Sequence, residues 1–101
     1  MEELLKADPE DLFLQYALAM ACLSDGETTQ GLEGLEEVIN RDPDYVAAYF
    51  QKGQALASEG ETAAAKSALD RGIDVARKIG DSHAEAEMRA FLEELPFNQN
   101  D

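Results

Sequence analysis

Cysteine and histidine are almost missing from this sequence. A single Cys22 admits no internal disulfide, and with one histidine, His83, the paired Cys or His spacing of a zinc site cannot be built. Proline and glycine are also scarce, at 3 and 7 in 101 residues, which excludes low-complexity and collagen-like chains. No apolar run approaches the about 20 residues of a membrane span. The start MEELLKADPE is acidic where a signal peptide needs a basic patch and then a hydrophobic stretch, so a soluble cytoplasmic protein is expected. Positive charge is the last shortage: 8 bases face 22 acids, for a net charge of -14. Such a surface repels phosphate backbones and anionic headgroups, which argues against nucleic-acid and membrane-surface binding.

What is present suffices for one folded domain spanning 1–101. The chain is 45% hydrophobic and 30% charged, enough to build a core and too regular for a disordered tail. The acidity is uneven, with 12 acids and 2 bases in residues 1–50 against 10 and 6 in the remainder. It favours a basic partner, although net charge serves solubility equally well, including in a salty interior.

Self-comparison carries the strongest signal. Asp8-Pro9 recurs as Asp42-Pro43, and Asp25-Gly26-Glu27 is answered by Glu59-Gly60-Glu61, each 34 residues later. A shared period of this length marks stacked repeats. Between the landmarks the apolar residues follow a helical spacing: Leu14, Leu18 and Ala21 form one stripe, and Phe13, Tyr16, Met20 and Leu23 a second beside it. A helix apolar over so wide an arc has to be contacted from more than one side. Pro9 and Pro43 suit a first helical turn, and Gly26 and Gly60 suit the left-handed residue that ends a helix. These signals predict helices over 9–24, 27–41, 43–58 and 61–79. Gly80-Asp81-Ser82, followed by Ala84, Met88, Phe91, Leu92 and Leu95 at helical spacing, predicts a fifth over 81–95, closed by Pro96.

In its period and its small residues the chain resembles the tetratricopeptide repeat family, whose unit is a helix, a turn and an antiparallel helix. The match covers about residues 9–77. Its pattern appears as Tyr49, Gly53, Leu56, Gly60, Ala65 and Leu69 in the second unit. The first unit offers Gln15, Leu18-Ala19, Cys22, Gly26, Gly31, Leu35, Val38 and Pro43. Gln15 stands in place of an aromatic, Lys52 of leucine and Gly72 of alanine, and Arg77-Lys78 ends the second unit without Asp-Pro. Lys52 is expected to bury its stem and bring its ammonium to the surface. The missing proline should let the fourth helix run a turn longer than its counterpart. The resemblance implies an all-α, right-handed α-solenoid: a stub of a preceding helix at 1–8, repeats at 9–42 and 43–77, a capping helix at 81–95 and a tail at 96–101.

The resemblance also implies a function, binding of a protein or peptide in a concave groove made mainly by the first helix of each unit. Carried over by position, the groove residues are Phe13, Tyr16, Met20, Leu23 and Ser24, then Ala47, Phe50, Gln54, Ala57 and Ser58. Tyr16, Met20, Phe50 and Gln54 occupy places where some members carry the Lys and Asn that grip a C-terminal carboxylate, so that specificity is not expected. The competing reading packs Phe13, Tyr16, Met20 and Phe50 beneath the fifth helix or a preceding repeat. A structural self-association module is the alternative function, which leaves the oligomeric state at monomer or weak homo-oligomer. No activated nucleophile, acid–base pair, phosphate loop or metal-ligand pattern is present in the sequence, so an enzyme, a metal and a cofactor are not expected. Cys22 reads as a core residue and His83 as a surface or capping residue.

Overall fold

The computed structural model describes residues 9–96, and the expected stub at 1–8 and residues 97–101 of the tail lie outside them. Five helices follow one another: α1 Pro9–Ser24, α2 Thr28–Arg41, α3 Val46–Ser58, α4 Thr62–Ile79 and α5 Ser82–Glu94. No strand occurs among the described residues. Each helix packs on the next, so the chain runs up and down through two helix pairs and finishes on α5.

The turns after α1 and α3 are closed alike. Gly26 and Gly60 adopt φ of 84° and 81°, a region that costs a side-chain-bearing residue about 1–2 kcal/mol and glycine almost nothing. Beyond each glycine a glutamate N–H reaches back five residues, Glu27 to the Cys22 carbonyl at 2.8 Å and Glu61 to the Leu56 carbonyl at 2.9 Å. Those bonds satisfy carbonyls that the helix end would otherwise leave open.

Pro43 departs from expectation. It lies in the turn before α3, not in the helix, which begins at Val46. The Tyr45 N–H donates to the Asp42 carbonyl at 2.9 Å and the Asp44 N–H to Asp42 Oδ1 at 3.0 Å. Proline's fixed φ suits the second place of such a turn as well as the first place of a helix, and here the aspartate side chain tips the balance. At the start of α5 the Asp81 carboxylate is the cap, accepting from the Ala84 N–H at 3.0 Å. The fourth helix does outrun its counterpart, with 18 residues in α4 against 14 in α2.

Two apolar clusters hold the stack. Leu12 and Ala19 of α1 meet Leu35, Val38 and Ile39 of α2 and Ala48 and Tyr49 of α3. Leu69, Ile73 and Ala76 of α4 meet Met88 of α5, with Val46 and Phe50 of α3 packed alongside. Leu35, Leu69 and Met88 are wholly buried, each contributing about 1.5–3 kcal/mol relative to exposure. Close approach depends on small residues. A Cβ on Gly31 would stand 2.5 Å from Leu23 Cδ2, and one on Gly72 would stand 2.6 Å from Met88 Sδ and 2.7 Å from Tyr49 Cβ.

Lys52 has a largely covered side chain, and its ammonium pairs with the half-exposed Glu36 of α2 at 2.6 Å, tying the second helix pair to the first. The stripe Leu14, Leu18 and Ala21 faces outward, with Leu14 and Leu18 56% and 63% exposed, so α1 is covered on one side only by the described residues.

Candidate functional site

The first helices of the two pairs, α1 and α3, flank a hollow of about 320 Å³. Its walls are Met20, Leu23 and Ser24 of α1, Thr28 at the head of α2, and Gln51, Gln54, Ala55 and Ser58 of α3. None of these side chains is ionisable, although charged residues make up 30% of the sequence. Apolar surface from Met20, Leu23 and Ala55 alternates with hydroxyl and amide groups that both donate and accept. The exposed Ser58 hydroxyl donates back to the Ala55 carbonyl at 3.0 Å, so its oxygen is left to act as an acceptor.

Of the residues carried over from the repeat resemblance, Met20, Leu23, Ser24, Gln54 and Ser58 line this hollow and Phe13, Tyr16, Ala47, Phe50 and Ala57 do not. Phe13 is 61% exposed on the surface of α1. Tyr16 is half-buried, its ring 5.3 Å from that of Tyr45. Burial, and next the neighbouring Tyr45, push the Tyr16 hydroxyl above its ordinary range. Burial, and next Asp42, do the same for Tyr45. Phe50 is half-buried against α5, edge-on to Phe91 with ring centres 6.0 Å apart. Ala47 and Ala57 are half-buried on α3.

Thr28, Gln51 and Ala55 were not anticipated. On α3 the lining runs 51, 54, 55, 58, which keeps 54 and 58 of the expected 47, 50, 54, 57, 58 and takes 51 and 55 in place of 47, 50 and 57. A helical side chain leans toward the N-terminal turn, so a surface spot is covered by a residue about one place later than its Cα suggests. The polar spacing Gln51, Gln54 and Ser58 was the signal for that face in the sequence.

The charges are segregated along the stack. At the end where α2 and α4 finish, Arg41 pairs with Asp11 at 3.6 Å, Lys78 with Asp44 at 3.1 Å and Arg77 with Glu85 at 3.0 Å. At the other end the two glycine turns expose Asp25, Glu27, Glu59 and Glu61, and neither turn contains a base.

The comparisons with known proteins agree with the internal period. The tetratricopeptide repeat family model matches residues 46–79. A solution NMR structure of a tetratricopeptide repeat domain protein from Salinibacter ruber is 33% identical over 87% of this chain and 89% of that one, with a TM-score of 0.81. The chain belongs to the tetratricopeptide repeat family. A crystal structure of a tetratricopeptide repeat domain protein from Salinibacter ruber gives 30% identity, coverage of 84% and 94%, and a TM-score of 0.78. No curated protein matches the chain.

For a tetratricopeptide repeat protein the expected small-residue contacts are in place, and the departure at Gly72 has a local cause in Met88 and Tyr49. A second hollow of about 220 Å³ opens on the outer side of the first pair, lined by Gln15, Leu18, Ala19, Cys22, Gln30, Gly34 and Glu37. Cys22 is therefore half-buried at a surface hollow and not sealed in the core. His83 is exposed, its Nε2 3.3 Å from Glu87 Oε2 one turn along α5. No helix among the described residues is long and apolar enough to cross a membrane.

Proposed function

We propose that this tetratricopeptide repeat pair works without catalysis, by holding a peptide or an extended segment of a partner protein in the hollow between α1 and α3. One observation carries the reading: a neutral, half-apolar hollow of about 320 Å³ with convergent hydroxyl and amide groups, on a protein whose net charge is -14. Leaving such a surface uncharged where the rest is strongly charged favours desolvation by a ligand over solvation by water. Protein or peptide binding is what tetratricopeptide repeats generally mediate, and the proposed setting is the cytoplasm. The acidity supports a partner of positive charge. The binding residues on this reading are Met20, Leu23, Ser24, Thr28, Gln51, Gln54 and Ser58, with Tyr16 and Phe50 as supports behind the wall.

The test begins with peptides selected from a random display library on the intact chain. Recovered peptides should bind the Met20→Ala and Gln54→Ala variants about 1–3 kcal/mol more weakly, with the melting temperature close to the parent's. Parental affinity in both variants would place the binding surface elsewhere.

A second reading, self-association, is favoured by a different surface. Leu14 and Leu18 stand exposed beside the second hollow, and a further copy stacked there would cover them. Sedimentation equilibrium at rising concentration decides: a mass that doubles, and returns to the monomer value on Leu18→Glu, favours self-association.

A further inference from the structure

The ends of the proposed groove are electrically unlike, and this bears on what kind of segment fits it. The turn that follows α1 reads Ser24-Asp25-Gly26-Glu27-Thr28 and the turn that follows α3 reads Ser58-Glu59-Gly60-Glu61-Thr62. Ser24, Thr28 and Ser58 line the hollow, so the exposed Asp25, Glu27 and Glu59 each adjoin a residue of its wall, and Glu61 lies three residues beyond Ser58. Glu27 and Glu61 precede the first turns of α2 and α4, where negative charge complements the helix dipole. Asp25 and Glu59 follow the last turns of α1 and α3, where negative charge opposes it. Helix stability accounts for the glutamates after the glycines but not for the acids before them. At the opposite end Arg41, Arg77 and Lys78 pair with Asp11, Glu85 and Asp44.

We propose that the groove takes a segment with an uncharged, partly apolar stretch followed at one end by lysine or arginine, the basic end lying over the two Ser-acid-Gly-Glu turns. The inference rests on the groove reading above. The neutral stretch loses its water against Met20, Leu23 and Ala55, while the cations stay solvated at the lip and gain only screened attraction. Each exposed contact of that kind is weak, so the turns set the orientation and the association rate more than the affinity. A segment with acidic flanks would meet the same turns as a barrier.

The peptides selected on the intact chain test this directly. They should be enriched in lysine or arginine beside a neutral stretch. The double variant Asp25→Asn/Glu59→Gln should bind them about three- to tenfold more weakly at low salt, with the difference closing at high salt. It should melt at or above the parent temperature, since two charges opposed to helix dipoles are removed, and weaker binding is then not lost folding. Recovered peptides without basic enrichment, or equal binding by the double variant, would overturn the inference. Weakening by Gln54→Ala with none by the double variant leaves the groove standing and removes only the basic end. Weakening by the double variant with full binding to Gln54→Ala and Met20→Ala overturns the groove reading itself. A library with no enrichment overturns both.

Discussion

At position 72 one hydrogen atom in place of a methyl group decides how closely three helices meet. A Cβ there would press on Tyr49 Cβ, which is held by its own backbone, as well as on the softer Met88 Sδ. Alanine is the better helix former by about 1 kcal/mol, yet overpacking a rigid contact costs about 1–3 kcal/mol. Gly72→Ala is therefore expected to lower stability in urea unfolding, against propensity. Gly31→Leu, despite a similar gain in helix propensity, and Ala65→Leu should cost about 1–3 kcal/mol, because Leu23 crowds the first and the second is wholly buried. Unchanged unfolding midpoints would mean that the pairs pack more loosely than the distances state. The tyrosine pair gives a pH dependence at the same scale. Burial raises the hydroxyls of Tyr16 and Tyr45 above the unfolded value of about 10, so the folded state favours the neutral phenol. That contribution is complete below pH ~10 and is lost as pH rises through the folded values. Melting temperature should fall on the alkaline side of pH ~10, and less steeply in Tyr16→Phe, which absorbance titration of the phenolates can follow in parallel.

Among the elements, α5 does more than close the end of the stack, because it covers Phe50, one of the residues carried over to the expected groove. Packed against Phe91 and the Met88 cluster, Phe50 is a structural residue, and Phe50→Ala should cost about 2–4 kcal/mol, somewhat below the fully buried range. Gln54→Ala on the same helix should leave the melting temperature nearly unchanged. The order of the first four helices and the two glycine turns were legible in the sequence because they rest on local chemistry repeated 34 residues apart, and the extra length of α4 because its end lacks the repeated Asp-Pro. The start of α3 was not, since proline after aspartate serves a turn and a helix equally, and the hydrogen bonds of Asp42 decide between them. On α1 the periodicity gave the helix without telling which apolar stripe is covered. Half of the positions carried over from the resemblance line the hollow. Of the others, Phe50 packs on Phe91 and Tyr16 on Tyr45, contacts between residues far apart in sequence that no local pattern announces.

For the whole molecule, the balance of charge sets the response to salt. A net charge of -14 on 101 residues repels itself in the compact state. The opposing ion pairs are mostly exposed or half-exposed, including Lys78 with Asp44, Arg77 with Glu85 and Arg89 with Glu85. Such pairs contribute about 0–1 kcal/mol each, and salt weakens them as it weakens the repulsion. The acids of the glycine turns make no ion pair among the described residues, and only Glu27 and Glu61 gain from a helix dipole, so the repulsive part is the larger and screening should stabilise the fold. Melting temperature is thus expected to rise with sodium chloride as the screening length falls from about 10 Å at 0.1 M to about 3 Å at 1 M. Binding of a basic peptide should move the opposite way over the same series, since its attraction to the glycine turns is screened while nothing repulsive is relieved. A melting temperature that fell with salt would mean that the ion pairs at the far end of the stack, and above all the half-buried Lys52–Glu36 bridge between the helix pairs, outweigh the repulsion.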